Sequence, residues 1–219
     1  MKVLSILQPS FLPYLGYIDL IKKSDHFIFY DHVQFDKNSW RNRNKILINK
    51  RATWITLPIV RDKLDKKIYE TKIHNPKKNF EIIKKKIFYS YKNHPNFKNF
   101  YNKLLSVFNK REILLSTLNI QLTKIILDEL NIKFNYIKSS DYQNLKDKNL
   151  NIINWCKNLE CKVYYTGQSA KNYIDTGLFK KNGIDIKFQN FIHPIYKQKN
   201  IKKFVTNLSV IDYIFNLEK

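Results

Sequence analysis

Glycine is scarce in this chain: only Gly16, Gly167, Gly177 and Gly183 occur in 219 residues. The patterns G-x-x-x-x-G-K-[ST], G-x-G-x-x-G and G-x-S-x-G are absent, so a P-loop, a dinucleotide fingerprint and a nucleophile elbow are excluded. Cysteine is limited to Cys156 and Cys161, which leaves no disulfide framework and no zinc site. With no H-E-x-x-H pair either, no metal site is assigned. No apolar run approaches the roughly 18–20 residues that a membrane span needs. The first one, residues 3–7, is too short for a signal-peptide core and runs into Gln8-Pro9. These absences lead us to expect a cytoplasmic protein with no membrane span. Helix-turn-helix and zinc-finger patterns are missing too, and the aromatics form no recognisable stacking platform.

Acidic residues are also few, 18 against 40 basic ones, for a net charge of +22. Basic excess of that size raises a nucleic-acid reading. Yet the excess is made of 35 Lys and only 5 Arg, in a chain with 29 Ile and 25 Asn. These are residues of A/T-rich codons, so base composition alone accounts for much of the charge. The informative charges are the rarer ones. Arg41, Arg43, Arg51 and Arg61 fall close together, beside Trp40 and Trp54.

What is abundant is material for a core. With 43% hydrophobic and 15% aromatic residues the chain excludes disorder, and its length suits a single domain. Residues 2–7 read as a buried strand, 14–24 as a helix with Leu15, Ile18 and Ile21 at helical spacing, and 26–30 as a second strand. Strand, helix and strand make a βαβ unit, hence a parallel sheet of Rossmann-like α/β type. Residues 45–60 suggest a hairpin around Asn49-Lys50-Arg51, ending at Pro58. Residues 68–74 add a candidate strand. Helices follow over 80–90, 97–108 and 113–130, a helical insertion at about 79–131 within an α/β core of about 1–75 and 132–219. Strands over 134–138 and 162–166 flank a helix over 149–159, and an apolar segment over 204–215 closes the chain.

Ligands of open parallel sheets sit beyond the carboxyl ends of the strands. Those ends carry Gln8-Pro9-Ser10, Asp31-His32-Val33-Gln34 and Gly167-Gln168-Ser169. Gly16, in the first turn of a helix, costs about 1 kcal/mol relative to alanine. It therefore suits close approach of a ligand or of the sheet. Asp31 reads as a general base, a ribose hydroxyl acceptor, a metal ligand or a helix cap. Arg41 and Arg43 offer a planar fork that grips phosphate or carboxylate in a way lysine does not match. The competing reading is ion pairing near Asp36 and Asp62. Near Gly167, Ser169 and Tyr173 supply hydroxyls for a phosphate or sugar, although an ordinary strand-to-helix turn looks the same. The stretch 188–198 gathers Gln189, His193, Tyr196 and Gln198 around Pro194, and His193 is the acid/base candidate among five histidines.

Taken in order, several segments resemble the WbqC-like family of bacterial proteins. They are Gln8-Pro9 through Pro13-Tyr14-Leu15-Gly16-Tyr17, Tyr30-Asp31-x-Val33-Gln34-Phe35, Asn42-Arg43 and Trp54-Ile55-Thr56-Leu57-Pro58. Gly167 with Tyr173, His193-Pro194-x-Tyr196-x-Gln198 and Leu208-Ser209-x-Ile211-Asp212 complete the set. Where the family often has a second Asp, this chain has His32, which weakens a two-carboxylate metal site. The opening also looks like that of pantothenate synthetase, a nucleotidyltransferase-type fold. The paired histidines of that enzyme are replaced here by Tyr14 and Tyr17, so fold transfers without chemistry.

The resemblance implies a place in surface-polysaccharide or O-antigen biosynthesis. We therefore expect a transferase or ligase acting on a nucleotide-activated sugar or amino sugar, with amide formation as one form of the reaction. His193 and Asp31 are the catalytic candidates. Gln8, Tyr14, Gly16, Tyr17, Gln34, Arg41, Asn42, Arg43, Gly167, Ser169, Tyr173, Tyr196 and Gln198 are the substrate-binding ones. The expected partner is a phosphorylated small molecule or nucleotide sugar, with ATP and magnesium open as cofactors and no specific nucleic acid. The alternatives are a basic nucleic-acid-binding module and a non-catalytic scaffold of a polysaccharide assembly complex.

Overall fold

The computed structural model describes residues 1–60, 66–199 and 201–218. The chain divides between two compact units. The first unit contains Met1–Gln8, Gly16–Asp31 and Lys133–Ile192, and the second Pro9–Leu15, His32–Ile132 and His193–Lys219. Residues 9–15, 32–75 and 193–219 thus cluster with the helices.

The first unit is built on a parallel sheet. Strands β1 (Val3–Leu7) and β2 (His26–Phe29) are joined by helix α1 (Leu15–Lys22) and run parallel, with Leu4 opposite His26 and Leu7 opposite Phe29. The short apolar runs of both strands suit burial on both faces, the usual state of parallel strands. The antiparallel hairpin strands β3 (Arg43–Ile48) and β4 (Arg51–Thr56) belong to the second unit. Three further strands complete the first sheet: β5 (Tyr136–Lys138), β6 (Val163–Thr166) and β7 (Asp185–Phe188). The order is β5-β2-β1-β6-β7 with every pair parallel, a Rossmann-like arrangement.

Crossovers on the β6 side have local causes. Asp147 caps the helix over Lys148–Asn158 by accepting from Leu150 N at 2.8 Å. Asp175 caps the one over Thr176–Lys181 through Leu178 N at 2.9 Å. The latter helix ends at Gly183, whose φ of +69° is the left-handed closing conformation that glycine adopts without strain. Between sheet and helices lie Leu4, Ile6, Ile28, Trp155, Tyr164 and Phe179. Withdrawing each such side chain from water stabilises the unit by roughly 1.5–3 kcal/mol. Ser5, buried in the middle of β1, is satisfied by donating to Tyr165 O at 2.7 Å.

In the second unit the β3–β4 turn is Asn49-Lys50, at φ of 49° and 64°. Two consecutive positive-φ residues make the tight turn whose twist matches a hairpin. Helices follow at Pro76–Tyr91, Phe97–Phe108, Leu115–Glu129 and Val210–Phe215; in chain order they are α2, α3, α4 and α7, with α5 and α6 the two capped helices above. Pro76 in the first turn and Asn75 at the cap start α2. Aromatic contacts fill the core: Tyr91 stacks on Phe215 at 4.7 Å, and Phe80 meets Phe108 at 5.4 Å. Glu129, fully buried at the end of α4, is held by Lys103 Nζ at 2.6 Å and Asn96 Nδ2 at 2.9 Å.

The segment expected as a strand over 68–74 is instead a 3-10 turn, Ile68–Glu70. Thr71 Oγ1 bonds back to Lys67 O at 2.9 Å, and beyond it only isolated bridges form, Lys72 with Leu114 and Ile73 with Ile59.

Candidate functional site

The carboxyl ends of the first unit's strands carry a connected set of polar groups. Gln8 leaves β1, and its carbonyl accepts from the Tyr17 hydroxyl at 3.2 Å. Gly16 is buried in α1, and its carbonyl accepts from Gln189 Nε2 at 2.8 Å. The same amide reaches Asp19 Oδ2 at 2.8 Å, while Gln168 Nε2 donates to Gln189 O at 2.6 Å. Gln189, the first residue after β7, thus ties that strand end to α1 and to the exit of β6. It was not among the expected site residues, although its place just past a strand was a usable signal.

Gly167 leaves β6 with φ −71° and ψ 161°, an ordinary extended conformation. A Cβ placed there would meet nothing within 4 Å. Neither backbone geometry nor packing within the chain calls for glycine, and the space over its backbone is open. Ser169 is exposed in the 3-10 turn that follows. Tyr173 ends that turn, and Lys148 Nζ lies 3.3 Å from its ring centroid. Burial pushes the hydroxyls of Tyr30, Tyr164 and Tyr173 up and the Lys148 ammonium down.

Asp31 is buried one residue beyond Tyr30. Its Oδ1 accepts from Ser139 Oγ at 3.1 Å and Ser140 N at 2.9 Å, and its Oδ2 from Ser140 Oγ at 3.1 Å. In return Asp31 N donates to Ser139 Oγ at 2.9 Å. The carboxylate therefore locks the end of β2 to the turn that follows β5.

Other candidates lie in the second unit. There the loop 9–14 is pinned onto the start of the hairpin. Arg41 donates to Ser10 Oγ at 3.0 Å, and Asn119 Nδ2 to the carbonyls of Arg41 and Pro9, at 2.8 and 3.3 Å. Leu12 holds a left-handed φ of 44°, unfavourable for a residue with a side chain, and Asn44 Nδ2 fastens its carbonyl at 2.6 Å. Tyr14 bridges to Ser209 through the backbone. Asn42 closes the hairpin base by donating to Leu57 O at 2.8 Å. Gln34 is exposed and bridges to Lys67.

Arg43 lies over Trp54, guanidinium to ring 4.4 Å, and donates to Asn38 O, while its Nε is buried with no hydrogen-bond partner. Trp40 leans on Trp54 at 5.1 Å, and Lys45 Nζ is 4.9 Å from the same ring. Arg43, Lys45 and Trp54 share one hairpin face because Arg43 pairs with Thr56 and Lys45 with Trp54 across the strands. Arg61 and Asp62 lie outside the described residues.

The last two motifs of the resemblance converge. Asp212, fully buried, accepts from Tyr91 Oη at 2.9 Å, Tyr196 Oη at 2.7 Å and Gln198 Nε2 at 3.0 Å. Desolvation holds its carboxyl above the ordinary value, and the three donors oppose that shift. Gln198 also accepts from Val205 N at 2.8 Å and donates to Val205 O at 2.9 Å, so both ends of its amide are bonded within the chain. His193 is half-buried against Phe204 and Tyr196, with Nδ1 2.9 Å from Pro194 O. Asp212 belongs to the Leu208-Ser209-x-Ile211-Asp212 motif but not to the expected site residues. The signal that could have singled it out was an acidic residue in an apolar helix, downstream of a Tyr-x-Gln.

Among the described residues no three His, Cys, Asp or Glu side chains gather as a metal-ligand set, and no helix is long and apolar enough to cross a membrane. A family model described as the WbqC-like protein family matches residues 8–219. The uncharacterized protein Rv1507c of Mycobacterium tuberculosis (strain ATCC 25618 / H37Rv) is 30% identical over 223 residues, covering 99% of this chain and 94% of the relative. No solved structure matches.

Proposed function

The chain belongs to the WbqC-like family, and on that premise we propose a transferase or ATP-dependent ligase that acts on a nucleotide-activated sugar or amino sugar in surface-polysaccharide biosynthesis, with amide formation as one form of the reaction. The observation that carries this reading is the open backbone of Gly167 beside the central strand of a parallel sheet. Between β1 and β6 the strand order reverses, and the crevice outside the carboxyl ends of such strands is where open α/β sheets take nucleotides. The open space over the Gly167 backbone and the exposed Ser169 hydroxyl suit phosphate or sugar oxygens.

Each unit has its own proton-transfer candidate. Asp31 is a carboxylate held rigidly at a strand end, and His193 is a half-buried imidazole. Arg43 carries the anion-binding proposal, since its guanidinium is already oriented by Trp54.

Calorimetry with a panel of nucleotides and nucleotide sugars, with and without ATP and magnesium, tests the reading. Saturable heat with at least one nucleotide sugar, lost in Gly167→Val, is the expected result. Absence of heat across the panel for the wild type sinks it. Tight, steeply salt-dependent binding of duplex nucleic acid in its place would favour the nucleic-acid-binding alternative.

A further inference from the structure

The second unit contains a cleft that plays no part in the reading above. It has a volume of about 510 Å³ and opens between the β3–β4 turn, the second half of α2 and the segment around Lys199. Its wall is apolar: Ile82 and Tyr89 from α2 face it with Ile201, and Tyr89 is 70% exposed. Four lysines line the cleft beside this wall, Lys50, Lys85, Lys86 and Lys199, the last with its ammonium on Asn93 O. Among the described residues no acidic side chain lines it. Glu81, the acid of α2, is outside the lining and paired with Lys84. A second hollow of about 700 Å³ shares Lys50, Lys199 and Ile201 with the first and adds Lys197 and Lys202 against one acid, Glu218. The two hollows, bordered in common by Lys50, Lys199 and Ile201, are together termed the trough.

The volumes fall within the range of small-ligand sites. An apolar wall rimmed by cations of one sign matches a ligand that is itself divided, hydrocarbon at one end and anion at the other. Nucleic acid does not match, since a base-paired helix would meet the lysines without filling the apolar wall. Lysine at these positions acts as a point charge suited to phosphate. We propose that the trough binds an anionic amphiphile, a phosphate monoester or diphosphate carried on an apolar chain. This proposal is independent of the nucleotide-sugar reading.

The chain is rich in lysine everywhere, so the test must separate this site from general attraction. The probe is dodecyl phosphate, titrated below its micelle concentration and followed by calorimetry. Dodecyl maltoside, inorganic phosphate and uridine diphosphate serve as comparison ligands. We expect one saturable site for dodecyl phosphate, weakened about tenfold or more in Lys85→Gln/Lys86→Gln and in Ile82→Ser. The control pair Lys77→Gln/Lys78→Gln, on the same helix outside the lining, and Arg43→Ala should bind as wild type does. Circular dichroism melting of each variant confirms that its fold is retained.

The proposal is overturned if the control pair weakens binding as much as the site pair, which reveals bulk charge. It is overturned too if the maltoside or uridine diphosphate binds as tightly as dodecyl phosphate, or if binding never saturates. Loss of nucleotide-sugar binding in Gly167→Val with retention of dodecyl phosphate would separate this site from the one proposed above.

Discussion

The hydroxyl of Tyr91 donates to Asp212 Oδ1 at 2.9 Å across 121 residues of sequence, and Leu47 N donates to that same hydroxyl at 3.2 Å. One buried phenol therefore couples the hairpin, α2 and α7. Removing a donor from a buried carboxylate costs about 1–3 kcal/mol, because the acceptor cannot recover its bond from water. Tyr196→Phe and Tyr91→Phe should each lower stability by that order in urea unfolding, with Tyr91→Phe the worse since it also orphans Leu47 N. Equal stability of wild type and both variants would mean that the network carries no weight.

Asp212 also predicts a pH dependence. Its carboxyl is raised above the ordinary 3.8 in the folded chain, chiefly by desolvation. A raised acid favours the folded state most when protonated, so its contribution is full below the unfolded value and fades as pH climbs through the folded one. Asp212→Asn lacks this titration. The melting temperature of the variant relative to wild type should therefore improve as pH rises from about 3. A constant difference across that range would refute the sign argued here.

Asp31 invites a sharper experiment because structure and chemistry make different demands on it. Asp31→Ala deletes three acceptor bonds to Ser139 and Ser140 and should cost about 3 kcal/mol. Asp31→Asn keeps an oxygen for Ser140 N and should cost less than half of that. If turnover in the proposed nucleotide-sugar reaction falls as far in Asp31→Asn as in Asp31→Ala while stability recovers, the carboxylate has a role beyond its lock.

The two thiols should be silent. Burial pushes Cys156 up to about 12, and Cys161 is raised by the same cause. Neither presents a thiolate at neutral pH, and both sit within the core of the first unit. Native protein should give no reaction with a thiol-specific disulfide reagent over hours, and two equivalents after denaturation. Rapid native labelling of either cysteine would contradict this packing.

Local patterns carried much of the fold into view from sequence alone. The alternation of strand, helix and strand over the first thirty residues declared the parallel sheet, and Asn49-Lys50 marked the hairpin turn. Short elements without periodicity were invisible. β7 is an edge strand, Asp-Ile-Lys-Phe, with no apolar run to announce it, and α6 is six residues started by Asp175 and stopped by Gly183. The association of 193–219 with the helices rests on contacts more than a hundred residues apart, such as Asn96 with Ile214 O, and local sequence holds no record of them. Site residues divide the same way. Gly167 was legible as a rare glycine at a strand end, whereas the bonds that occupy Gln198 and Asp212 needed the folded chain.

Gly167 separates what the fold needs from what a ligand needs. Its backbone dihedrals are open to any residue, and a Cβ there meets no atom within 4 Å. Alanine at such a position restricts the unfolded chain more than the folded one and typically stabilises by about 0.4–1 kcal/mol. Gly167→Ala should therefore melt at or slightly above the wild-type temperature. The same methyl group stands where a phosphate or sugar would approach the backbone, so affinity for the proposed nucleotide-sugar ligand should fall several-fold. Gly183→Ala, at φ +69°, should behave in the opposite way, losing about 1 kcal/mol of stability with affinity unchanged. Finding both substitutions neutral to binding would remove the strand-end crevice from the proposed site, because the open space at Gly167 would then have no occupant.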